Sequence, residues 1–315
     1  MKKAFHIGLI LLLVGLGLFI NGYKGAGGDL SAINGSLGTF TLNVGDGEKA
    51  DNNSETFSAD ALRRVVIDEG NAAVRVGLSP DKQIHVTWQD REGETLSVRS
   101  SGGTLTLKRN VPHFGVNLAI VGVPLTTEVL LPASLVVDLE LSSDNGGITL
   151  DALALEGDVS LSSDNGDIRL DGVTLGDLRV DNDNGTITLS GSCGKVTLEG
   201  DNGSVYIEDL LCRSLEIETD NGGVHLSRVT AETTLSAELN AGSITLESVA
   251  AGQSLSFRSD LGSIHGTLAG SLDDYSIEAE TDLGTCNLPA KSSKGDIRLE
   301  VSTDLGSIDV SFAGD

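Results

Sequence analysis

The 315-residue sequence predicts an all-β chain: a single-domain β-solenoid, parallel β-helix-like, with coils of about 20 residues behind an N-terminal transmembrane helix. Three observations predict it. A phrase of strand, Asp-Asn-Gly or Asp-Leu-Gly, and strand recurs from Asp138 to Asp315. Its turn glycines, Gly146, Gly166, Gly185, Gly203, Gly222, Gly242, Gly262, Gly284 and Gly306, span 160 residues in eight steps, a mean period of 20. An apolar run, Ala4 to Ile20, follows Lys2 and Lys3. A fixed period of 20 to 50 residues marks a stacked repeat.

Each arm of the phrase alternates. Seven and five residues before the glycine stand pairs such as Leu139 and Leu141 or Leu299 and Val301, and two and four after it pairs such as Ile148 and Leu150 or Ile308 and Val310. Of the 36 inward positions so defined, only Gly266 lacks an apolar side chain, so each arm reads as a strand with one buried face. One coil cannot bury such a face alone. Stacking equivalent strands about 4.8 Å apart gives parallel ladders around an aliphatic column, and nine coils give a rod of roughly 40 Å. A string of antiparallel hairpins also fits short glycine turns between alternating strands. Column-wise identity down the whole chain favours the solenoid, because a meander has no need of it.

The turn is constrained by its variants. Leu261, Leu283 and Leu305 stand where earlier coils have asparagine, and a type I′ turn would force them to positive φ. A turn shared by all coils is then one with positive φ at glycine alone, such as type II or type I with a glycine bulge.

The phrases SSDNGDI (Ser162 to Ile168) and TDLGSI (Thr303 to Ile308), with SGGTLTLKR (Ser101 to Arg109) and EVLLPASL (Glu128 to Leu135), also carry a resemblance. From about Val65 onward the chain resembles the bacterial adhesin family built on a β-strand-repeat domain of unknown function (DUF4097-type), which includes LiaG-like proteins of envelope-stress operons. The resemblance implies an exported or membrane-tethered β-solenoid without known catalytic residues.

Taken in order, residues 1–23 read as a membrane anchor or signal segment. This seventeen-residue run, broken only by His6 and small glycines, lies at the short limit for a spanning helix and above the usual core of a signal peptide. A retained anchor, a cleaved signal and a buried core helix are the three readings, the first favoured because no Ala-x-Ala site or lipobox cysteine follows. Basic residues ahead of the run place the repeats outside the cytoplasm. Residues 24–58, rich in Gly, Asn, Ser and Asp, read as a flexible tether. Residues 59–136 read as degenerate N-terminal β coils or a cap, with Leu96, Val98, Leu105 and Leu107 in register if Gly103 is a turn glycine. Val111 to Pro124 lacks the register and reads as an insert. Residues 137–315 are the regular repeats.

Charge separates the halves. Residues 1–136 carry 13 acids and 12 bases, and residues 137–315 carry 33 acids and 9 bases, a net charge of −24. Such a field repels nucleic acid and anionic wall polymers. Aromatic residues make up 3% of the chain, too few for an extended sugar-stacking platform.

Three columns bear on chemistry. Two residues before the glycine stand Asp144, Asp164, Asp183, Asp201, Asp220, Asn240, Asp260, Asp282 and Asp304. Stacked like charges require compensation: either backbone amides of the same turn, as in Asx turns, or a cation, Ca²⁺ above all, bridging neighbouring oxygens. Asn145, Asn165, Asn184, Asn202 and Asn221 form the next column and read as a hydrogen-bonded ladder. Its continuation into Leu261, Leu283 and Leu305 is either core or an apolar docking stripe. In the outward column three after the glycine, His225 and His265 lie two coils apart, about 10 Å, too far to share a metal.

Cys193 and Cys212 both precede a turn glycine by ten residues, so they stack, as a disulfide or as two thiols. Cys286 reads as a small core residue. No nucleophile elbow, P-loop, dinucleotide fingerprint or paired metal histidines occur, so no catalytic residue is assigned. The functional expectation is a non-enzymatic, membrane-anchored extracytoplasmic solenoid acting in adhesion or as an envelope scaffold linked to stress, its partner an envelope or cell-surface protein. The alternatives are a polysaccharide-active β-helix enzyme, whose paired acids would have to depart from the repeat, and a Ca²⁺-stabilised surface stalk.

Overall fold

Strand alternation with a 20-residue period becomes, in the computed structural model, a parallel stack. The structure describes residues 33–37, 40–44, 50–91, 93–110, 116–119, 125–133 and 135–315. The anchor expected over residues 1–23 lies outside them, and among the described residues no helix is long and apolar enough to cross a membrane.

The described residues fall into two compact units. The smaller has a three-stranded sheet in which Phe40–Val44 pairs antiparallel with Ile33–Leu37 and parallel with Val116–Ala119. Val116–Ala119 belongs to the segment read as an insert, which thus contributes a strand. The tether read over 24–58 also changes, since Asp51–Ser58 is an eight-residue strand paired with Gln83–Asp90.

The larger unit is the solenoid. Each regular coil has a first arm before the turn glycine and a second arm after it, both in register with their equivalents: Leu139 pairs with Val159, Ile148 with Ile168, Leu215 with Leu235. Most inward aliphatic positions of both arms are no more than 2% exposed, which is the single core the pattern predicts. Burying each such side chain contributes about 1.5–3 kcal/mol before chain entropy is charged against it.

A third arm was not legible as a period-two run. Six residues after the glycine, Ala152, Asp209, Arg228 and Ser248 sit at φ 48–55° and Gly172 at 59°, a left-handed corner in five of the coils. Beyond it a short strand turns inward: Leu210 stacks on Val229, and Cys212 lies between Cys193 and Ala231. The corner breaks the alternation, because non-glycine residues in that region flip the side-chain phase and cost about 1–2 kcal/mol each.

The turn glycines are needed for a different reason from the one expected. Gly185, Gly203, Gly222 and Gly242 have φ of 142–153°, far from the roughly +80° of a type II turn, and the remaining turn glycines fall outside the positive-φ range. What excludes a side chain is the neighbouring coil. A Cβ on Gly203, Gly222, Gly242 or Gly262 would lie 1.8–1.9 Å from the carbonyl oxygen of the turn glycine in the coil below. The glycine N–H in turn donates to the carbonyl of the residue before the next coil's glycine, as Gly185 N–H does to Asn202 and Gly242 N–H to Leu261.

Both ends depart from simple succession. The first coil is Arg64–Leu78, stacked directly under Asp138–Asp151, with Ala72 in the place of the turn glycine. Leu105 and Leu107 pair with Val65 and Ile67 of the first arm rather than continuing the second. The Gly103 register is thereby overturned: Gly102 and Gly103, at φ 58° and 80°, link the consecutive strands Thr95–Ser101 and Thr104–Asn110. From the strand Thr104–Asn110, Arg109 forks onto Glu69 (2.9 and 3.0 Å) and reaches Thr127 (3.2 Å), all buried. Removing one partner of such a pair costs about 3–5 kcal/mol, since the other is left charged in the core.

At the far end, Ile297–Leu305 inserts between Ser254–Leu261 and Tyr275–Leu283, so the Gly284 coil is outermost although the Gly306 coil follows it in sequence. Residues 290–292 then cross the exposed edge, Ser292 exchanging backbone hydrogen bonds with Ile277 and Ala290 accepting from Ala279. The Asn287 side chain gives and takes a hydrogen bond at Val310, in the manner of another strand. Covered edges deny further strands a template.

Candidate interaction surface

The asparagine column forms a continuous ladder. Asn145 donates to Asn71 (2.8 Å), Asn165 to Asn145, Asn184 to Asn165, Asn202 to Asn184 and Asn221 to Asn202 (3.2–3.3 Å). The parallel register sets identical side chains one strand apart, so each amide meets its own kind. At Ala241 the ladder ends. From there the column runs Leu261, Leu305, Leu283 in spatial order, 53%, 47% and 67% exposed. Of the two sequence readings, core or surface, the structure takes surface.

The aspartate column lies beside it, and its compensation differs from the expected Asx bonds. None of these carboxylates accepts a hydrogen bond from its own turn's backbone amides among the described residues. Asp220 accepts from Asn240 (2.6 Å), and Arg258 reaches Asp260 (2.8 Å) and Asp304 (3.8 Å). The carbonyls of Asp144, Asp164 and Asp201 serve the asparagine ladder instead. Burial, then the nearby Asp164 and Asp68, hold the Asp144 carboxyl above its ordinary range. Among the described residues no three His, Cys, Asp or Glu side chains converge as a metal site.

A groove of about 420 Å³ runs along the outer face of the first arm. Ser236, Ser256 and Ser302 line it together with six glutamates. Its polar residues stand at the repeat's outward positions, four and six before the glycine, where Ser236, Ser256 and Ser302 are each paired with a longer charged side chain, and Glu216 with Glu218 and Glu278 with Glu280 are long at both positions.

Sequence reasoning missed a buried polar column three residues before the glycine: Glu69, Ser143, Ser163, Asn182, Thr219, Ser259 and Thr303 are 0–5% exposed. Ser259 and Thr303 donate to the turn-glycine carbonyl of the adjacent coil at 2.7 and 2.8 Å. Around Gly200, by contrast, both amide atoms of Asn182 and the Thr219 hydroxyl lack a protein partner. The signal is a run of Ser, Asn and Thr at one phase of the repeat, which an apolar pattern alone does not mark as inward.

Cys193 and Cys212 are stacked as predicted, both buried and free, and burial pushes their thiols up to about 12 and about 11. On the second arm's outer face, Tyr206 and His225 stack at 4.7 Å, while Thr245 and His265 are 3.2 Å apart.

The sequence model of the Toastrack DUF4097 family matches residues 62–311. The chain belongs to this family. The match takes in the Toastrack solenoid from its first coil through the Gly306 coil. Among curated proteins none matches. A "putative adhesin" from Bacteroides fragilis is 12% identical with a TM-score of 0.43, over 84% of this chain and all of that one. A "putative cell adhesion protein" from Clostridium sporogenes gives 10% and 0.24 over the same shares, and a "putative adhesin" from Parabacteroides distasonis 12% and 0.39, over 83% and 98%. Identities and scores this low say nothing of function.

Proposed function

We propose that this Toastrack chain is a non-enzymatic extracytoplasmic solenoid, held at the membrane by its N-terminal segment, that acts in adhesion or as an envelope scaffold by docking a protein on its leucine stripe. One observation carries this reading: Leu261, Leu305 and Leu283 stand exposed on three adjacent strands in the column where the preceding coils spend asparagines on one another. Three neighbouring leucines left about half exposed make a contiguous apolar patch of the kind that marks an interaction site.

A photo-crosslinking residue at position 283, compared with one at position 165 in the asparagine ladder, tests the reading on intact cells with and without a wall-active antibiotic. A defined adduct at 283 and none at 165 is expected. Equal labelling at both positions, or none at either, sinks it. Drug-dependent capture of an envelope protein indicates scaffolding, and capture only when another cell is present indicates adhesion.

A further inference from the structure

The leucine stripe does not stand alone. Three residues before it on each strand, about 10 Å along the chain, begins the groove on the same first arm. Its glutamates are Glu216, Glu218, Glu238, Glu278, Glu280 and Glu300. Arg258 is the one base among its lining residues, and it is already engaged with Asp260, Asp304 and, at 3.7 Å, Glu238. Lys195 meets Glu216 and Arg298 meets Glu300. Glu218, Glu278 and Glu280 have no side-chain hydrogen bond or ion pair among the described residues.

We propose that stripe and groove together form a docking surface for a basic amphipathic helix of a partner protein, its apolar face on Leu261, Leu305 and Leu283 and its lysines or arginines over the groove. This rests on the reading of the stripe as a binding surface. The geometry suits a helix. Stripe and groove both run along the stack, and side chains one turn apart on a helix are separated by about 5.4 Å, against about 4.8 Å between stacked leucines. A helix with side chains is about 10–12 Å across, wide enough to touch leucines and glutamates at once. Charge selects the occupant. A second copy of this chain would bring the same acidic columns to the contact, and anionic lipid or nucleic acid is repelled by the same field. Only a cationic segment gains from the unpaired glutamates, and only an apolar one from the leucines.

The test uses the full-length chain in zwitterionic-lipid nanodiscs, with empty discs as blank, and a labelled 18-residue helix of leucine on one face and lysine on the other. Fluorescence anisotropy at 0.15 M salt is expected to show saturable binding. Leu283→Ser with Leu305→Ser should weaken it about tenfold, as should Glu278→Lys with Glu280→Lys. A lysine/serine peptide that binds as tightly overturns the proposal, leaving only diffuse attraction to an acidic surface. Binding of a leucine/glutamate helix, or indifference to both double variants, overturns it too. Adducts at position 283 on cells without binding of the basic helix would keep the docking reading and discard the basic partner, whereas absence of adducts removes the docking reading itself.

Discussion

The coils from Gly146 to Gly222 and those from Gly242 to Gly284 share the two stacked arms and the turn glycine and differ in the column before that glycine. In the first group the residue before the glycine is asparagine, and each amide is consumed by the next. In the second it is alanine and then leucine, and nothing in the stack consumes it. Stacked repeats place like beside like, so a side chain that bonds its own kind becomes internal structure, while one that cannot becomes surface. The fold tolerates both because neither sets the stack: the turn glycines and the inward aliphatics do.

The largest effect should therefore fall on both groups alike. Gly222→Ala and Gly262→Ala each put a methyl 1.9 Å from a turn-glycine carbonyl, and each should cost about 3 kcal/mol in urea unfolding. A mild loss in either would separate the two groups at the backbone. Next, Asn184→Leu breaks two ladder bonds and should cost about 1–2 kcal/mol. Leu305→Asn, flanked only by leucines, should stay within about 0.5 kcal/mol of the parent. Equal costs would mean that the ladder contributes nothing.

Smaller effects probe the polar column and the aspartates. A Cβ at Gly200 has only the Asn182 carbonyl near, at 3.6 Å, so Gly200→Ser and Gly200→Ala both fit. Serine, able to pair with Asn182 or Thr219, should be about 1 kcal/mol more stable than alanine by thermal unfolding. An equal melting temperature would show those groups already satisfied.

Asp144 is held above its ordinary pKa in the fold, so its ionised form opposes folding above the native pKa, and that opposition vanishes as pH falls towards the unfolded value. Asp144→Asn should raise the melting temperature slightly at pH 7 and match the parent below pH 3.8. Millimolar Ca²⁺ against EDTA tests whether cations bridge the column Asp144, Asp164, Asp183, Asp201, Asp220, Asp260, Asp304, Asp282. A clear rise in melting temperature with Ca²⁺ is the outcome of bridging, and no shift dismisses it.

Much of the fold was legible before any coordinates. The inward positions at seven, five, two and four residues from each glycine were plain because burial on one face of a strand leaves period-two alternation in the chain itself. The asparagine ladder followed from the register alone. The third arm was not legible, since its left-handed corner shifts the phase at Ala152, Asp209, Arg228 and Ser248, and no local composition marks that. The Glu69–Arg109 pair joins residues 40 apart, and charge on a one-dimensional string does not say which acid a base will meet.

By itself, then, the sequence determined the solenoid, its period, its core face and its columns, because those depend on interactions repeated between equivalent positions. Tertiary structure decided what repetition leaves undetermined. It put Ile297–Leu305 inside Tyr275–Leu283 and laid residues 290–292 over the outer edge. It also made steric contact between coils, rather than turn type, the reason for glycine. It left Leu261, Leu305 and Leu283 in water, because whether a turn side chain folds inward depends on the space beside it, and that space exists only once the coils are stacked.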